Sequence, residues 1–146
     1  MKKMDEVFRE VTKLGDGISR VLEMADYYRF DDLSGLDIDY DDPNERFLQS
    51  ELSLIFYRLK KINQDIEYLG RPIVGEYTLW KNEADRYECD LQEFRSGETI
   101  ECYVYDSFYE RDKWVITRVE YSGDDYCLAG YNSTPMEGLK VRIRRG

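Results

Sequence analysis

At residue 72 the apolar residues of this chain change their period. Before it they recur every three or four residues, the signature of helices that pack on one another. After it they alternate with period two, the signature of half-buried strands. A chain with both patterns, one after the other, is expected to be α+β with its helices and strands segregated. The expected boundary divides the chain into a helical segment at 1–72 and a small β-domain at 73–146.

Met4, Val7, Val11, Leu14, Ile18, Val21, Ala25 and Tyr28 follow a strict 3-4 spacing and define one face of a first helix, widened by Phe8 and Leu22. Gly15 and Gly17 interrupt it, and each costs about 1 kcal/mol relative to alanine, so a kink is expected there. The second helix has clear limits. Asp42 suits the N-cap, Pro43 the first helical position, and Glu45 completes a capping-box arrangement. Leu48, Leu52, Ile55, Leu59, Ile62, Ile66 and Leu69 form its stripe, and Gly70 with Pro72 ends it. Leu52, Ile55, Leu59 and Ile62 are expected to be buried. A helix over 44–69 is about 39 Å long, nearly matching the first, as the arms of an antiparallel hairpin should.

Between them, residues 31–43 are rich in carboxylates and lack any basic side chain, which favours an extended linker. Asp37, Asp39 and Asp41 alternate like the first ligands of a calcium loop. The glycine and glutamate such a loop needs at its sixth and twelfth positions are replaced by Asp42 and Leu48. Two other readings stand beside calcium: a solvated linker, and a phosphate mimic whose carboxylates occupy a basic groove built for nucleic acid.

In the second half Ile73–Trp80, Arg86–Leu91, Thr99–Tyr105, Trp114–Tyr121, Tyr126–Gly130 and Leu139–Ile143 read as strands. A small antiparallel barrel or a twisted sheet of five to six strands follows. Arg142 and Arg144 alternate on the last of these, where they would keep a sheet edge soluble. Cys89, Cys102 and Cys127 fall within strands and read as small buried apolar groups. Tyr103, Tyr105, Trp114 and Tyr121 lie in an aromatic-rich stretch. Some of these rings are expected to fill the core and others to form a binding face.

Composition narrows the function classes. There is no histidine, which removes the Ser-His and Cys-His pairs and the usual zinc sites. Lys and Arg number 21 against 31 Asp and Glu, a net charge of −10 that disfavours direct, non-specific DNA binding. No apolar run reaches the roughly 20 residues of a membrane span, and the N-terminus has no signal core, so a cytoplasmic protein without a membrane partner is expected. No glycine-rich phosphate loop is present and no cofactor is implied.

The C-terminal half also resembles a small domain of unknown function carried by phages and conjugative elements of Gram-positive bacteria. The likeness lies in RYE at 86–88, LQEFRSGETIEC at 91–102, Trp114 with ITRVEY at 116–121, DYCLAG at 125–130 and GLKVRIR at 138–144. Small acidic proteins in that setting often resemble anti-defence proteins, including anti-CRISPR inhibitors. The resemblance implies a non-enzymatic inhibitor that binds a bacterial CRISPR effector nuclease, or its guide complex, and blocks nucleic-acid binding or cleavage. It carries over no catalytic residue. Asp37, Asp39, Asp41 and Asp42 would supply charge towards a basic channel, and Tyr103, Tyr105, Trp114 and Tyr121 apolar anchors. The alternative is an interaction or regulatory module of a mobile genetic element that forms a homodimer through its helices.

Overall fold

The computed structural model describes residues 1–146, which divide into two compact units, Met1–Arg71 and Pro72–Gly146. The first holds two helices, α1 (Met4–Met24) and α2 (Pro43–Gly70). The second holds β1 (Ile73–Thr78), β2 (Trp80–Lys81), β3 (Tyr87–Glu88), β4 (Glu93–Phe94), β5 (Thr99–Asp106), β6 (Arg111–Tyr121), β7 (Tyr126–Leu128) and β8 (Lys140–Arg144). The fold is α+β.

In the first unit α1 runs without a break through both glycines. Gly15 is buried where α2 passes: a methyl group there would stand 3.1 Å from Ile66 Cγ2. Gly17 faces open space. The helix stops earlier than the apolar spacing suggests. Asp26 turns into the left-handed region at φ 51°, and the Tyr27 amide donates to the Leu22 carbonyl at 3.0 Å. This turn rotates Tyr27 inward, where its ring stacks on Phe56 with centroids 5.7 Å apart, and leaves Tyr28 outside.

The acidic segment is more compact than an extended linker. It descends through successive turns, and Leu33 is fully buried among the helices. One apolar anchor thus offsets the mutual repulsion of the carboxylates, which stay in water where screening is strong. Asp42 caps α2 through its Oδ1, which accepts from the Asn44 amide at 2.8 Å. Glu45 reaches past the cap and accepts from the Asp39 amide instead of that of Asp42.

The buried seam also differs from the one the spacing suggests. Ile18, Leu22, Phe56 and Ile66 are buried, with Leu52 and Leu59 packed against them. Ile55 and Ile62 are exposed, as are Val7, Leu14, Val21, Leu48 and Leu69. Each helix carries two adjacent apolar stripes, and the hairpin closes over only one of them.

In the second unit a five-stranded antiparallel sheet has the order β1-β8-β5-β6-β7, and a small three-stranded sheet the order β2-β3-β4. The larger sheet ends at β1 and β7, so it is an open sheet and no closed barrel forms. The expected strand at Ile73–Trp80 divides at Leu79, which is buried and donates its amide to the Leu139 carbonyl at 2.9 Å. The expected Arg86–Leu91 strand contracts to β3, and β4 forms at Glu93–Phe94, outside the expected strands. Phe94, Ile100, Cys102, Val119, Leu128 and Val141 are among the most deeply buried side chains of this unit's core.

Candidate functional site

The alternation of β5 sends Ile100, Cys102 and Val104 into the core and Glu101, Tyr103 and Tyr105 to the opposite face. Register with β6 places Tyr103 beside Trp114 and Tyr105 beside Asp112; register with β8 places Glu101 beside Arg142. One face of the sheet therefore gathers Tyr103, Tyr105, Trp114, Lys140, Arg142 and Arg144 around Glu101.

The cluster is held by charge and by rings. Arg142 Nε is bonded to Glu101 Oε2, and Arg144 Nε to Glu101 Oε1 at 2.8 Å. The Glu101 side chain is only 1% exposed. An ionised carboxylate at that depth needs such partners, because desolvation costs several kcal/mol per ion. The Arg142 guanidinium also lies 4.4 Å from the Trp114 ring centroid. Trp114 and Tyr103 meet at 5.0 Å, and Lys140 Nζ sits 5.3 Å from the Tyr103 centroid. Tyr105 stands at the outer end of the row, 60% exposed.

Tyr121 does not join this group. It has the opposite parity on β6, its ring lies 4.9 Å from that of Tyr126, and its hydroxyl donates to the Gly123 carbonyl. Nor are Arg142 and Arg144 on a sheet edge, since β8 lies between β1 and β5. Their role is to neutralise Glu101. That carboxylate went unrecognised from sequence, although its signal was present: a charge in phase with Tyr103 and Tyr105 in the middle of a strand, facing an Arg-Ile-Arg strand.

The four aspartates belong to the other unit. Asp37, Asp39 and Asp41 are exposed and Asp42 is half-buried. Asp39 Oδ1 accepts from the Asp41 amide at 3.0 Å, and Asp42 is occupied as the cap. The segment frames an apolar cleft of about 150 Å³ lined by Leu33, Leu36, Leu48 and Leu52 together with Asp37 and Glu45. No group of three or more cysteine, aspartate or glutamate side chains is placed to hold a metal ion.

A second polar cluster links the small sheet to β7. Asp125 accepts from the Tyr126 amide at 2.8 Å and from the Tyr87 hydroxyl at 3.1 Å, and it pairs with Lys81 at 3.3 Å. These contacts, the Tyr126 amide foremost, hold its carboxyl below the usual aspartate range. Cys102 lies behind the aromatic face, and burial, with Glu101 adding to it, pushes its thiol up to about 11. A buried thiol with so little thiolate fits a packing role.

Residues 77–143 contain every member of this face except Arg144. They match a domain of unknown function, DUF5348. The match covers a little under half of the chain, within the β-unit. No curated protein and no solved structure matches the chain.

Proposed function

We propose that this chain is a non-enzymatic binding protein whose β-unit engages a protein partner through the face built from Tyr103, Tyr105, Trp114 and Arg142. The observation that carries the reading is the placement of Arg142, fixed on the Trp114 ring by the buried Glu101. Trp, Tyr and Arg are the residues on which interface energy concentrates. Groups fixed before binding lose little freedom on docking, which favours affinity.

The narrower form of this reading is an inhibitor of a bacterial guide-RNA nuclease, acting by occupancy. It draws on the resemblance of residues 86–144 to a domain of mobile genetic elements. It draws also on the net charge of −10 and the exposed carboxylates of Asp37 and Asp41. A guide-RNA effector holds nucleic acid in positively charged channels, and complementary charge accelerates encounter.

The test is target cleavage by a panel of guide-RNA nucleases with and without the protein. The parent should inhibit one of them. Tyr105→Ala should weaken that inhibition at least tenfold. The triple change Asp37→Asn, Asp39→Asn, Asp41→Asn should slow association and reduce its salt dependence. Full inhibition by Tyr105→Ala overturns the aromatic face as the docking site. Cleavage unaffected by the parent throughout the panel overturns the narrower reading.

A further inference from the structure

Val7, Leu14 and Val21 recur every seventh residue along α1, and Leu48, Ile55, Ile62 and Leu69 do so along α2. All stay in solvent, between 40% and 61% exposed. On each helix this stripe is displaced by roughly a quarter turn, in the same rotational sense, from the stripe buried inside the hairpin. The two members of an antiparallel pair display a shared rotational sense in mirror fashion, so both exposed stripes open on one side. The Ser19–Asn63 hydrogen bond at 3.0 Å and the Gly15–Ile66 contact set the register. They bring Leu14 level with Leu69 and Val21 level with Ile62. The opposite flank of the hairpin carries Thr12, Ser19, Ser53 and Lys60 and is polar.

We infer that this face is where two copies of the chain associate, hairpin against hairpin, as a four-helix bundle. Two arguments select a second copy as the occupant. The first is periodicity. A helix in a hairpin needs one apolar seam, whereas a helix in a four-helix bundle needs one for each of two neighbours, repeating on average every 3.5 residues. Beside its buried seam each helix carries a second apolar row of one residue per heptad, which widens the seam to the face a bundle helix presents, and a second copy supplies the same heptad repeat. The second is area. The exposed stripes amount to on the order of 600 Å² of apolar surface, at the upper end of the largest patch on ordinary monomers. That approaches the roughly 800 Å² per partner of a standard stable interface. The inference is independent of the docking face on the β-unit.

The experiment is sedimentation equilibrium of the full chain across a concentration series, with Val21→Glu, Ile62→Glu and, on the polar flank, Ser53→Glu. The parent should show twice the mass of a single chain and dissociate on dilution. Val21→Glu and Ile62→Glu should each weaken association at least tenfold while keeping helical circular dichroism. Ser53→Glu should associate like the parent. A parent that stays at the mass of one chain at high micromolar concentration overturns the inference. So does a dimer that folded Val21→Glu and Ile62→Glu leave equally tight. If either glutamate variant fails to fold, Val21→Ser and Ile62→Ser replace it, with the same weakening required.

Discussion

Gly15 of α1 lies directly beneath Ile66 of α2, so close that an added methyl group would stand 3.1 Å from Ile66 Cγ2. Two residues on, Gly17 has nothing within 4 Å of the same position. Two glycines that look equivalent in sequence therefore have opposite consequences. Gly17→Ala gains helix propensity at no steric cost and should stabilise the helical unit by about 1 kcal/mol. Gly15→Leu must displace Ile66 and should lose about 1–3 kcal/mol by overpacking. Urea unfolding followed at the helical circular dichroism band checks both signs, and a loss for Gly17→Ala would contradict the open space beside it.

Phe56 supplies a second contrast. It is 7% exposed and stacked on Tyr27, whereas Leu54, two residues earlier, is 56% exposed. Phe56→Ala should cost about 3–5 kcal/mol, and Leu54→Ala should stay within about 0.5 kcal/mol of the parent. Equal losses at the two positions would mean that the hairpin closes over a different face.

These pairs show what the sequence could and could not specify. The heptad spacing identified two helices and their antiparallel return, and the cap at Asp42 and stop at Gly70 fell where expected, because those signals are local. It could not choose between adjacent stripes on each helix. Leu59 and Ile62 differ by less than a turn, and both satisfy a 3-4 pattern. What decides is tertiary: Gly15 permits close approach only on its own side, and Tyr27, rotated inward by the turn at Asp26, needs Phe56 as a partner. In the β-unit, alternation along β6 separates Tyr121 from Trp114, whereas the meeting of Tyr103 with Trp114 depends on the β5–β6 register. The Glu101–Arg142–Arg144 cluster depends on β8 lying between β1 and β5, a long-range order that no short window contains.

Glu101 tests that cluster directly. Its side chain is 1% exposed and bridges two arginines that are themselves only 21% and 11% exposed. Breaking a buried ion pair by removing its carboxylate typically costs about 3–5 kcal/mol. Glu101→Ala should therefore destabilise the β-unit by that order, measured by guanidinium unfolding. It should also release Arg142 from Trp114, seen as a change in tryptophan fluorescence of the folded variant. A variant as stable as the parent would show that the arginines are fully solvated without the carboxylate.

Cys102 and Cys127 should separate chemically. Burial pushes the Cys102 thiol up to about 11, so at pH 8 very little of it is thiolate, and the side chain is fully buried. Cys127 is half-buried and Cys89 is buried. A disulfide-exchange reagent at pH 8 should modify Cys127 first and reach Cys89 and Cys102 only as the β-unit opens, so that mild urea accelerates the slow phase. Rapid labelling of all three thiols in the native protein would contradict this core.

Asp125 contributes to the pH dependence of the β-unit. Its carboxyl is held below the usual aspartate range by the Tyr126 amide, with further help from Lys81 and Tyr87. A group whose pKa is depressed on folding stabilises the native state above its unfolded value of about 4. That contribution disappears as pH falls through the lower, folded value. Lys81, whose pKa is raised chiefly by the Asp125 hydrogen bond, works at the other end. Its contribution is complete at neutral pH and is lost only above the ordinary lysine range. Thermal unfolding should thus show a plateau near neutrality and a decline on acidification below about pH 4. Asp125→Asn keeps an acceptor for the Tyr126 amide but cannot titrate. It should lower the melting temperature at pH 7 and flatten the acid decline. An acid slope as steep in Asp125→Asn as in the parent would assign the effect to other carboxylates of the same unit, such as Glu93, whose carboxyl Asn82 and Arg86 also hold low.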